Sequence, residues 1–247
     1  MPNAFSMRLW CALVLAVWTA GCAAVNPKAT GPAPVHPQSA GPSPAGPAAT
    51  TGEGWWYLRF RMHWPEGQPP AWATDLLIAD CVVRPVLERR TAEIPLWRFH
   101  RRAARDAAGH QFSFIFYAKP ETARAVFAET EGSIELQLAR ASGRVIAVVA
   151  DDPAGPLRSG IGDTSDPAWS PAMRDAWPYY LMGASRMWLD LVSRLAPEPA
   201  GSGFAELDAA YAHADAAVTA VWREEGRHAL LHHLNALFGY EPLEMRF

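Results

Sequence analysis

The chain is short of cysteine, with three in 247 residues. Cys11 and Cys22 lie close to the N-terminus, so Cys81 is the lone thiol of everything that follows. That excludes an intramolecular disulfide in the folded part, and no paired-cysteine zinc motif exists. Cys81 stands in the apolar stretch LLIADCVV, the setting of a buried, inert thiol rather than a nucleophile. Long hydrophobic runs are missing too: the longest, Leu9 to Val17, falls well below the roughly 20 residues of a membrane-spanning helix. The charge balance is close to even, at −3, which does not mark a nucleic-acid partner. No GxxxxGK[ST] or strand-borne GxGxxG is present, nor a GxSxG elbow or HExxH pair. Internal repeats are absent, which excludes a solenoid. No cofactor is expected from any of these patterns.

What is present begins with the N-terminus. Arg8, the apolar run Leu9 to Val17 and the small residues Thr19-Ala20-Gly21 lead to Cys22. A charge, a short apolar core and small residues make a secretory signal over residues 1–21. The residues before Cys22 resemble the lipobox of bacterial lipoproteins. That resemblance implies a lipid on Cys22, which becomes the mature N-terminus and holds the protein to a membrane. Ala23 follows where an Asp would imply inner-membrane retention, so the resemblance implies an outer-membrane anchor with the domain in the periplasm of a Gram-negative cell. Residues 22–53 are rich in Ala, Pro, Gly, Ser and Thr and offer almost no large apolar side chain. Such a segment cannot offset its own ordering entropy and reads as a disordered tether.

From Gly54 onward there is length for one sizeable core. Residues 55–64 alternate and read as a strand; residues 72–84 carry helical spacing, with Pro85 bending or ending the helix. PLWRFHRRA and QFSFIFY read as a hairpin joined by ARDAAGH. Pro120 opens a helix to about Glu129; Ile134, Leu136 and Leu138 alternate as a further strand; and VIAVVA follows a Ser142-Gly143 turn. The order predicts an α+β domain, a ferredoxin-like split βαβ sheet over residues 54–152 with one extra strand. Residues 153–247 read as a helical extension packed on it, with Asp166-Pro167 and Ser170-Pro171 as helix starts. Tyr180, Met182, Trp188, Leu189 and Val192 are expected to line its first long helix. The second, Ala205 to Leu237, is expected to break near Gly226, and Leu243, Met245 and Phe247 form a last alternating segment.

Period two places Arg98, His100 and Arg102 on one face of their strand, and Tyr57, Arg59, Arg61 and His63 on one face of theirs. The expected site is a basic sheet face, with Arg59, Arg61, Arg98, His100 and Arg102 binding an anion of the envelope. Arginine suits this because its planar fork pairs bidentately with phosphate or carboxylate. The competing expectation is that the C-terminal helices pack over this face, with Asp75, Asp175, Asp190 or Glu224 pairing the arginines. The expected role is therefore non-catalytic: binding an anionic lipid or cell-wall component, or assembling with an envelope protein complex. One alternative is a periplasmic hydrolase using His100 or His110 as base, Asp106 as orienter and Ser113 as nucleophile. Another is a transition-metal site on His228 and His232, which stand at i and i+4.

Overall fold

The structure, a computed structural model, describes residues 52–240. The signal segment, Cys22, the tether and the Leu243–Phe247 segment lie outside the described residues.

Strand β1 (Gly54–Met62) is followed by a helical run with three parts: α1 (Trp72–Leu77), a π-helical segment (Ile78–Val83) and α2 (Arg84–Arg89). Pro85 was expected to bend or end this helix, and the run passes through it. Proline has no N–H to return to the preceding turn, and the wider π turn just before it accommodates that gap. The Arg84 N–H reaches back five residues to the Ala79 carbonyl. β2 (Leu96–Ala103) and β3 (His110–Ala118) form the expected hairpin, with Gly109 at φ +64 closing the turn. α3 (Pro120–Glu131), α4 (Ile134–Ala141) and β4 (Val145–Ala150) complete the sheet domain.

The Ile134–Leu138 stretch is helix α4, which corrects the extra strand. Ser133 caps it, accepting the Leu136 N–H at 3.3 Å, and Leu136 and Ala139, three residues apart, are its buried pair. Ile134 is exposed, so the alternation of Ile134, Leu136 and Leu138 never faces a sheet. Without that strand the order is β-α-β-β-α-α-β, and the sheet runs β2-β3-β1-β4 with every neighbouring pair antiparallel. This is the split βαβ arrangement.

One face of the sheet carries Trp56, Leu58, Phe60, Met62, Phe99, Phe112, Phe114 and Phe116 against Leu76, Leu77, Val126 and Leu136 of the helices. Each large apolar side chain buried there contributes about 1.5–3 kcal/mol of transfer free energy. After a 3-10 turn (Ile161–Thr164) come α5 (Pro171–Leu195) and α6 (Phe204–Glu224). Ser170-Pro171 does start α5, whereas Asp166 closes a turn on the Ala168 N–H instead. α6 packs on α1, burying Leu207, Ala210, Tyr211, Ala214 and Val218. α5 runs along edge strand β2, where the Phe99 N–H donates to the Ser185 hydroxyl at 3.0 Å. Its buried positions are Pro178, Ser185, Leu189 and Val192; Tyr180, expected in the stripe, is 50 % exposed. At the other edge, among the described residues, β4 pairs with β1 alone. α6 is followed by a second π-helical segment (Arg227–His232) and α7 (His233–Leu237).

Candidate functional site

The second sheet face is only partly covered. At one end Trp55, Leu96 and Ile115 form a small core with Tyr57, Tyr117, Ile161 and Met182. The 3-10 turn is pinned there by the Trp55 indole, which donates to the Gly160 and Ile161 carbonyls at 3.1 and 3.0 Å. The other end is more open and carries Arg59, Arg61, His100 and Arg102, while Arg98 lies in the covered row. Strand register sets them in rows across β1, β3 and β2: Tyr57, Ile115 and Arg98; Arg59, Ser113 and His100; Arg61, Gln111 and Arg102.

Each arginine is held, but not in the same way. Arg59 donates to Asp151 at 3.0 Å and lies 4.4 Å from the Tyr57 ring. Arg158 stacks on the same ring at 4.6 Å and shares Asp151 as its ion-pair partner. Arg61 donates to the Ala107 carbonyl at 2.7 Å. Arg102 pairs with Asp106 at 2.6 Å, and that bond with the Gly109 and Ala108 N–H groups holds the Asp106 carboxyl at about 2. Arg98 is buried and donates to the Thr164 carbonyl at 2.9 Å, and burial pulls its pKa down. Asp151 and Asp106 thus answer five guanidinium groups, which leaves the face positive. His100 is exposed among them; partial burial and then Arg98 and Arg102 hold its pKa below the ordinary value. The face is therefore neither fully open nor covered by the C-terminal helices. Asp75 and Asp190 pair elsewhere, with Arg101 and Arg194.

The proposed acid–base group does not come together. His100 and Ser113 are register partners, and the Ser113 hydroxyl accepts from Gln111 at 3.0 Å. Asp106 is occupied by Arg102 and its own turn. His110 points to the opposite face, fully buried, with its Nε2 3.0 Å from Asp75 Oδ1. Trp72 and Trp64 flank the ring at 4.8 and 6.5 Å. Arg101 donates to the other Asp75 oxygen at 2.9 Å and lies over Trp72 and Trp188, at 4.9 and 5.2 Å. Sequence reasoning missed this Asp75–His110–Arg101 cluster. The one signal was parity: Arg101 is out of phase with Arg98, His100 and Arg102.

A second buried network joins α6 to the first π segment. Tyr211 donates to Asp80 at 2.6 Å, Arg84 donates to the other Asp80 oxygen at 2.6 Å, and Cys81 Sγ lies 2.9 Å from the Tyr211 hydroxyl. Burial pushes both the Cys81 thiol and the Tyr211 phenol above their ordinary values, the wrong direction for a thiolate nucleophile. The proposed metal ligands stack instead of converging. The His228 and His232 rings lie 5.2 Å apart at an interplanar angle of 20°. His233 sits 5.3 and 5.2 Å from them, and no group of metal-ligating side chains forms among the described residues.

No protein-family model matches the chain, and no curated protein matches it. Among solved structures, a crystal structure of TsrL resembles it at 14 % identity with a TM-score of 0.35, over 76 % of this chain. This chain spans about half of that one, 49 % of its length.

Proposed function

We propose that this is a lipid-anchored envelope protein whose folded domain binds an anionic envelope component without catalysing a reaction. In this reading Cys22 carries the lipid, and the domain faces the periplasm from the outer membrane. The ligand sits on the open end of the arginine face, against Arg59, Arg61, His100 and Arg102. The observation that supports it is the excess of guanidinium groups there: Asp151 serves both Arg59 and Arg158, and Arg61 has a carbonyl in place of a carboxylate. A phosphate or carboxylate arriving on this face gains charge-assisted hydrogen bonds without displacing a full set of internal partners. Arg98 is buried at the covered end of the same face, where it bonds the Thr164 carbonyl, so it is not one of the groups that meet the ligand.

Two soluble probes separate the possible headgroups: glycerol phosphate and a muramyl peptide. Each lost charge-assisted bond costs about 1.5–3 kcal/mol, so Arg59→Ala/Arg102→Ala is expected to weaken binding at least tenfold while the chain stays folded. A bound anion also favours the His100 imidazolium, so its depressed pKa rises on binding, and affinity increases as pH falls through that pKa. Calorimetry and proton NMR of the His100 ring measure both effects. Failure of both probes, or equal affinity in the double variant, overturns the reading.

A further inference from the structure

The long C-terminal helix outruns the core that it packs on. The buried positions of α6 stop at Val218, and neither the π segment Arg227–His232 nor α7 has a buried residue. The substantial contacts of these last turns are with one another and with the end of α6. They are not polar. Trp222, Leu230, Leu234 and Phe238 follow one another at intervals of four or eight, with Leu231 and Leu237 beside them. Trp222 is 57 % exposed, Leu231 56 %, Leu237 83 % and Phe238 70 %. A stripe this apolar, on helical turns that bury no residue against the rest of the described chain, calls for a covering surface.

We infer that this stripe lies on a lipid bilayer, parallel to its surface. Three observations select the bilayer over a second copy of the chain. The apolar arc is wider than a coiled-coil seam, since Leu230 and Leu231 are adjacent and Leu237 and Phe238 are too, and its densest part runs only from Leu230 to Phe238. Trp222 and Tyr240 flank the leucines, and such amphipathic rings favour the membrane–water interface. The chain also holds about 30 residues between Cys22 and Gly54. Linkers of such composition and length have root-mean-square spans of roughly 30 Å, so a lipid on Cys22 permits this contact. This third point rests on the proposed lipid anchor; the first two do not. The helix lies on the membrane rather than crossing it, because no described helix is long and apolar enough to span one.

The polar side sets the lipid preference. Arg223 and Arg227 are matched by Glu224 and Glu225, with His228, His232 and His233 beside them. Insertion is thus driven by apolar area, and neutral membranes suffice. Binding through the arginine face requires anionic lipid instead, which lets the two contacts be told apart.

The experiment uses the mature chain from residue 22 with Cys22→Ala, so that no acyl chain contributes. It is floated with vesicles of pure phosphatidylcholine and of phosphatidylcholine with phosphatidylglycerol, with size and light scattering run in parallel. The expected result is co-flotation with both vesicles, a loss of at least tenfold in Leu237→Asp/Phe238→Asp, and, on pure phosphatidylcholine, no loss in Arg59→Ala/Arg102→Ala. Bromine-labelled acyl chains are expected to quench tryptophan fluorescence less in Trp222→Phe. The substituted leucine and phenylalanine are exposed, so the fold is preserved. Three results overturn the inference: no flotation with either vesicle; flotation only with anionic vesicles that is lost in the arginine variant; or a concentration-dependent dimer that Leu237→Asp abolishes. The first leaves the arginine-face reading standing, because that reading is tested with soluble probes.

Discussion

Asp75 has the most exacting position of any single residue. It is fully buried and lies within 3.0 Å of both the His110 ring and the Arg101 guanidinium. A buried carboxylate survives only when its partners offset the loss of water. Removing it strips the buried imidazole of its neighbouring carboxylate and leaves the Arg101 guanidinium with Asp215 alone, 3.6 Å away. Asp75→Ala is therefore expected to destabilise the fold by about 3–5 kcal/mol, measured by urea unfolding, whereas Arg102→Ala on the open face is expected to leave the unfolding midpoint nearly unchanged. The contrast marks what a linear reading of the chain reveals. Arg59, Arg61, Arg98, His100 and Arg102 share a face because period two is a property of neighbours in sequence. The Asp75–His110 contact joins residues on different elements, and no local pattern announces it. Asp106 was legible in both its possible roles, and the turn prevailed because its carboxylate finds the Ala108 and Gly109 N–H groups within its own loop.

The elements depend on how each end and edge is satisfied. A sheet edge exposes unpaired N–H groups, and at β2 that need is met by a side chain from α5. Ser185→Ala strips the Phe99 N–H of its partner in a buried place and is expected to cost about 1–3 kcal/mol. Faster amide exchange at Phe99 than in the centre of β3 locates the loss. The strand order was readable because β1, β2, β3 and β4 each show alternation or an uninterrupted apolar run between turn residues. Helix α4 was not: Ile134, Leu136 and Leu138 fit a strand as well as Leu136 and Ala139 fit a helix. The Ser133 cap decides between them, and a cap is weak evidence until the helix behind it is known. That the helix continues past Pro85 was hidden for a similar reason, since the π turn that absorbs it has no sequence signature of its own.

At the scale of the whole molecule, three features bear on where the protein works: a lipobox-like start, an arginine face and an apolar helix that leaves the core. A single weak membrane contact is reversible, and stable residence on a bilayer takes two. Cys22→Ala is expected to shift the chain from the membrane fraction toward the soluble one, with loss of the acyl mass from its N-terminal peptide. Complete retention of the variant on membranes, with that peptide unmodified in the parent, removes the lipid from the account. The placement of α5 has one more consequence. A β-sheet with two bare edges can recruit a neighbour on each side and keep growing. Here one edge is occupied from within, and the described residues leave β4 as the single place where another strand can add. Edge-to-edge association of this domain therefore terminates at a pair, and fibre growth through its native sheet has nowhere to continue.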